Sequence, residues 1–269
     1  MSSNQHTPRV LIFDSGVGSL SIGAAIHDLL PAIDLLYVMD HGGFPYGEWD
    51  EALLITHICA TVSRVLAAHK VDLLVMACNS ASTAVLPALR SQIQIPIVGV
   101  VPAIKPAAAL SQSGVIGLLA TPGTVSRPYT AQLIQDFAAD CTVIAVGSRE
   151  LAPAVENFIW HQQALDSVLA NVEREFSQHR DFATMDTVIL ACTHFPLVQP
   201  QLAALLPNIK WVDSGQAIAR RVAYLIEELG LETGGGEAGN HAAIILGDER
   251  PSANLKRYLQ EKNIHISAD

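Results

Sequence analysis

Short apolar runs that stop at a polar residue alternate along this chain with longer stretches of helical period, and that alternation restricts it to an α/β fold. The predicted strands are Arg9 to Phe13, Leu35 to Met39, Leu73 to Ala77, Ile97 to Gly99, Val115 to Ala120, Thr142 to Val146, Val188 to Ala191 and Trp211 to Val212. They are apolar on both faces, which is the pattern of strands buried in a parallel sheet, and their crossovers should be right-handed. Between the second and third, Leu54, Ile58, Val62 and Val65 recur at helical spacing, a stripe suited to covering such a sheet. Pro128 to Phe137 and Gln216 to Glu228 read as further helices.

Two segments echo one another. VDLLVMACNS (Val71 to Ser80) and TVILACTHF (Thr187 to Phe195) are both apolar strands closing on Ala-Cys and a small polar residue, and Asp-Ser-Gly stands at Asp14 to Gly16 and again at Asp213 to Gly215. These matches predict two related α/β halves with mainly parallel sheets. A chain of 269 residues has the length at which one core divides in two. With the Pro-rich stretch Pro96 to Pro106 as the crossing point, the expected division is a discontinuous first domain, 1–99 and 210–269, and a second domain, 100–209. Gly234 to Gly236 reads as a surface loop.

Composition narrows the function classes. Sixteen basic against 26 acidic residues, with no basic block, disfavour nucleic acid as principal partner. Gly, Asp, Asn or Pro interrupts the apolar runs short of the roughly 18 residues of a membrane span, and the opening stretch lacks a signal-peptide core, so a cytoplasmic protein without a membrane partner is expected. The cysteines Cys59, Cys78, Cys141 and Cys192 are scattered and never form CxxC, so free thiols and no metal site are expected.

Ligands of open parallel sheets collect at the carboxyl ends of the strands, and five such ends carry chemistry. Asp14-Ser15-Gly16-Val17-Gly18 offers backbone donors to an anion; a dinucleotide fingerprint is its rival, supported by Asp40 but opposed by Ser21 at the third glycine position. Asp40 to Gly47 offers a phenol and backbone donors at Tyr46 and Gly47. Cys78-Asn79-Ser80-Ala81-Ser82 places a thiol where a helix begins, an environment that favours thiolate, with Asn79, Ser80 and Ser82 as candidate caps. Thr121-Pro122-Gly123-Thr124 offers hydroxyls for a carboxylate or forms a plain turn. Cys192-Thr193-His194 sets an imidazole beside a second thiol, a pairing equally open to acyl transfer or, lacking further ligands, weakly to metal binding. Cys59 and Cys141 read as structural thiols, and a small-acid sensor in which all the thiols merely pack is the non-enzymatic alternative.

DSGVGS, FPYGE, CNSAS, ATPGT and ACTHFP occur in the order and approximate spacing of the glutamate racemases, so that the chain from about residue 9 to 225 resembles that family within the aspartate/glutamate racemase superfamily. The resemblance implies a two-domain pseudosymmetric enzyme with its active site at the domain interface, interconverting L- and D-glutamate without a cofactor and supplying D-glutamate for peptidoglycan synthesis. It implies Cys78 and Cys192 as the proton-transfer residues, Cys78 acting on D-glutamate and Cys192 on L-glutamate, with Asp14 and His194 assisting. Ser15, Tyr46, Gly47, Asn79, Ser80, Thr121, Thr124 and Thr193 fall on substrate-binding positions. Dimerisation is typical of the family. Ser80 stands where many members have threonine, and His41-Gly42-Gly43 departs from the usual loop. Ser148-Arg149-Glu150-Leu151 looks like a subgroup activated by UDP-N-acetylmuramoyl-L-alanine, with Glu150 and Glu156 as candidate pocket residues.

Two thiols suit such a reaction. Inverting an α-carbon means taking a proton from one face and returning one to the other, and an ordinary thiol, titrating near about pH 8.5, can serve in either form near neutrality. Fixed donors around the substrate carboxylate must then stabilise the carbanion.

Overall fold

A computed structural model of the chain describes residues 6–233 and 238–267; the loop expected at Gly234 to Gly236 and the opening residues 1–5 lie outside the described residues. The chain begins with β1 (Arg9–Asp14), α1 (Ser19–Leu29), β2 (Asp34–Asp40), α2 (Glu51–Ala68), β3 (Leu73–Met76), α3 (Asn79–Gln92) and β4 (Ile97–Gly99). It continues through α4 (Ile104–Leu110), β5 (Val115–Ala120), α5 (Pro122–Ser126), α6 (Pro128–Phe137), β6 (Thr142–Gly147), α7 (Leu151–His161), α8 (Asp166–Ser177), β7 (Thr187–Leu190), α9 (Gln199–Leu205) and β8 (Lys210–Val212). It closes with α10 (Gly215–Glu228), β9 (His241–Leu246), α11 (Ala253–Glu261) and β10 (Ile264–Ile266).

Two compact units result, one of residues 1–100 and 215–269, the other of residues 101–214. The first holds a six-stranded sheet in the order β10-β9-β2-β1-β3-β4 and the second a four-stranded sheet in the order β6-β5-β7-β8, and all the strand pairings are parallel. The order second-first-third-fourth is therefore the same in both, with β9 and β10 added at one edge of the larger sheet. The expected return to the first unit near Lys210 comes one strand later, because Lys210–Val212 pairs with β7 and so completes the smaller sheet. The repeated Asp-Ser-Gly also has no structural meaning: the first follows β1, the second follows β8, and these are not matching positions. Ser214 instead donates its Oγ to the Val101 carbonyl at 2.6 Å, tying the two ends of the second unit together.

Each sheet is buried by its helices. In the first unit Leu11, Phe13, Leu74 and Met76 meet the predicted α2 stripe of Leu54, Ile58, Val62 and Val65 in one core. In the second, Ile116, Leu118 and Ile189 pack with Ile104 and Ala107 of α4. Contrary to the expectation from the apolar runs, α2 is by length and composition apolar enough to cross a membrane, with a mean hydropathy of 1.4 over 18 residues. Its buried stripe belongs to the sheet, and Asp50 starts it as an N-cap, accepting the N–H groups of Ala52 and Leu53.

Candidate active site

The shared strand order puts the two cysteines at matching places. Ala77 N–H donates to the Phe13 carbonyl at 2.8 Å and Ala191 N–H to the Leu119 carbonyl at 2.8 Å, so each third strand is held to its central neighbour by one last bond. The next residue is Cys78 in one unit and Cys192 in the other, both buried. All four cysteines carry free thiols.

In the first unit Cys78 is the N-cap of α3, with extended backbone angles (φ −83°, ψ 123°) and no side chain capping the helix start. The thiol thus stands where the helix dipole and the first N–H groups favour an anion. Ser82, an expected cap, does something else: its Oγ donates to the Met76 carbonyl (2.9 Å) and accepts from Val100 N–H (3.1 Å), locking the start of α3 to the ends of β3 and β4. Asn79 and Ser80 lie in the first turn of α3, both buried, and the Asn79 Oδ1 has no hydrogen-bond partner. A buried acceptor without a donor is costly unless a ligand supplies one.

Asp14 ends β1, fully buried, and its Oδ1 accepts from Ser15 N–H at 2.7 Å and Ser15 Oγ at 3.3 Å. The loop's leading N–H is therefore taken by the chain's own carboxylate, which argues against a pyrophosphate there. Tyr46 is buried and donates its hydroxyl to Asp40 Oδ2. Burial and then the Asp40 carboxylate raise its phenol well above the ordinary value, with Cys78 and Asp14 adding to the effect. Its O–H is thus committed to Asp40, and the neighbouring Gly47 lies in an exposed turn.

In the second unit His194 Nδ1 stands 3.8 Å from Cys192 Sγ, and Nε2 is 2.7 Å from Glu156 Oε1 on α7. Burial by itself would lower the imidazole, but its hydrogen bonds to Cys192 and Glu156 and their negative charge hold it well above its ordinary value. Each ring nitrogen thus faces one acidic group, Nδ1 the thiol and Nε2 the carboxylate. Thr193 is buried beside it. The segment after Cys192 is a 3-10 turn, Phe195–Val198, with Pro196 in its first turn, so no α-helix begins directly at this thiol as one does at Cys78.

The Thr121 loop is a helix start: Thr121 caps α5 by accepting Thr124 N–H and donates its hydroxyl to Thr124 Oγ1 at 3.1 Å. Glu156 is the buried partner of His194, and Glu150 accepts a hydrogen bond from Asn171 on α8. Its spacing from Cys192, 36 positions along the chain, gave no signal of that role. His57, which joins Asp40, was also unmarked in the sequence. Cys59 is buried on α2, and Cys141, half-buried, precedes β6. Among the described residues no group of three or more His, Cys, Asp or Glu side chains is placed to hold a metal ion.

Comparison with known proteins agrees with this geometry. The family model for Asp/Glu/hydantoin racemase matches residues 37–222. The chain is 46% identical to the glutamate racemase of Actinobacillus pleuropneumoniae serotype 7 over 243 residues, 90% of each protein. Among solved structures it resembles Escherichia coli glutamate racemase in complex with L-glutamate and the activator UDP-MurNAc-Ala, with a TM-score of 0.87, 41% identity, and coverage of 97% of this chain and 98% of that one. It also resembles the Thermus thermophilus glutamate racemase in complex with β-chloro-D-alanine, with a TM-score of 0.74, 29% identity and coverage of 98% and 96%. The chain belongs to the Asp/Glu/hydantoin racemase family and, within it, to the glutamate racemases.

Proposed function

We propose that the protein interconverts L- and D-glutamate without a cofactor, Cys78 and Cys192 each serving as base for one enantiomer and as acid for the other. The observation that carries this reading is the matched placement of the two thiols, each one residue beyond the last ladder bond of the third strand of its sheet. Cys192 takes the α-proton of L-glutamate and Cys78 that of D-glutamate. His194, held by Glu156, supplies positive charge beside Cys192, and Asp14 assists Cys78. The partnerless Oδ1 of Asn79 suits a substrate ammonium, and the family resemblance assigns Ser15, Tyr46, Gly47, Ser80, Thr121, Thr124 and Thr193 to binding the rest of the substrate. The Cys-His-Glu alignment would also serve acyl transfer, but family membership favours proton transfer.

The product D-glutamate would feed peptidoglycan synthesis in the cytoplasm, and UDP-N-acetylmuramoyl-L-alanine would raise the rate. The similarity to the E. coli protein solved with that activator supports the second point. The test is polarimetry of the purified, reduced chain with glutamate and, in parallel, aspartate, with and without the muramoyl precursor. Glutamate turnover that the precursor accelerates is the expected result; racemisation of aspartate alone would replace the substrate, and an unchanged rate would remove the activator.

A further inference from the structure

Two separate segments of the first unit converge on one carboxylate oxygen of a third. Asp40, at the end of β2, is buried, and its Oδ2 accepts both the Tyr46 hydroxyl and His57 Nε2, each at 2.5 Å. A carboxylate only accepts, so Nε2 carries the hydrogen. His57 lies on α2, with 31% of its side chain exposed. Its ring lies against Trp49, with centroids 4.9 Å apart and planes 35° apart, and meets Tyr46 edge-on at 6.3 Å. The loop is shaped to admit this meeting: a Cβ at Gly43 would fall 2.6 Å from Asp40 Oδ2, 2.9 Å from the Tyr46 ring and 3.0 Å from His57 Nε2. Only hydrogen fits there, which explains one glycine of the unusual His41-Gly42-Gly43 sequence.

We propose that His57 is a positioning residue for the racemase reaction, acting through Asp40 to fix the Tyr46–Gly47 turn. The inference rests on the glutamate reading above. It follows from what each group has left to give. Tyr46 has committed its O–H to Asp40, so its side chain anchors the turn that the glutamate reading assigns to substrate binding. Asp40 holds that anchor as a buried carboxylate, and such a group keeps its charge and orientation only with enough donors. Tyr46 supplies one donor and His57 another, from a helix whose position is set by the core. Removing the imidazole leaves Asp40 underbonded and the turn free to shift, which weakens substrate binding more than the proton transfers at the thiols.

Steady-state racemisation of both enantiomers by the native chain, His57→Ala, His57→Gln and Gly43→Ala tests this. His57→Ala should raise KM roughly tenfold for both enantiomers, the effect of one lost hydrogen bond to a charged group, with kcat within about twofold of native. His57→Gln carries an amide N–H near the place of Nε2 and should restore most of the loss. Gly43→Ala keeps all three groups but wedges them apart, and should raise KM in the same direction. A native KM in His57→Ala, an equal defect in His57→Gln, or a fall in kcat at constant KM would each overturn the proposal. If His57→Ala does not fold, the Gln and Gly43 variants decide: a KM near native for the first and raised for the second upholds it, and any other pair of values overturns it. Absence of glutamate turnover by the native chain would overturn the glutamate reading itself, and this inference with it, before any variant is compared.

Discussion

The imidazole of His194 has no aqueous face, so its charge is decided by a thiol on one side and a carboxylate on the other. Replacing Glu156 with Gln keeps the shape and removes the charge, so the imidazolium should be lost at lower pH than in the native protein. The alkaline limb of kcat/KM for L-glutamate should then move to lower pH. At pH 8 the value should fall about ten- to a hundredfold, as expected for one charge-assisted bond. An unmoved limb would show that Glu156 does not set the charge of His194. Because the folded imidazole is raised above its unfolded value, its contribution to stability is full below about pH 6.5 and is lost as pH rises through the folded value. The thiols and His194 were legible because they follow apolar runs directly. Glu156 was not, since a buried glutamate on a helix of another segment looks like any acidic residue until the fold brings it to its partner.

Among the elements, a close backbone approach joins the loop after β2 to the end of β9. Gly247 has φ +125°, and a Cβ there would stand 2.7 Å from Gly42 N. Gly247→Ala should therefore cost about 1–3 kcal/mol in urea unfolding, and a native midpoint would contradict the contact. In the second unit Asp186, just before β7, accepts Ser111 Oγ (2.6 Å), Gln112 N–H (2.7 Å), Ser113 N–H (3.0 Å) and Thr187 Oγ1 (2.9 Å). Partial burial pushes its carboxyl up, but these four bonds outweigh that and hold it well below the usual range. Its contribution is present above the unfolded value of about 3.9 and is lost as pH falls through the depressed folded value. The stability gap between native and Asp186→Asn proteins should thus be widest near neutrality and narrow below about pH 4; a gap independent of pH would refute it. Of the eight strands found from the sequence, β1, β2, β3, β5 and β7 are buried along nearly their whole length, while the sheet-edge strands β4, β6 and β8 are only partly buried but still apolar enough to stand out. β9 and β10 went unread: the first follows a glycine-rich segment and the second is three residues long with a histidine at its centre, leaving too little pattern to mark a strand.

Over the whole molecule, the same strand order in both sheets accounts for the echo between Val71–Ser80 and Thr187–Phe195, and it is this order that makes two cysteines far apart in sequence equivalent in structure. The repetition is incomplete: one thiol caps a helix of 14 residues, while the other precedes a 3-10 turn and relies on a histidine. The two thiols thus stand in different local surroundings, a helix start in one unit and a buried histidine in the other. That division suits a reaction in which each thiol must act as base for one enantiomer and acid for the other. The central claim is that both thiols are needed, one for each face of the α-carbon. Its most direct test is α-deuterium incorporation from D₂O into L- and D-glutamate by the native chain, Cys78→Ala and Cys192→Ala. Uptake with racemisation in the native chain and loss of racemisation in both variants is predicted; full racemisation by either variant would contradict the account.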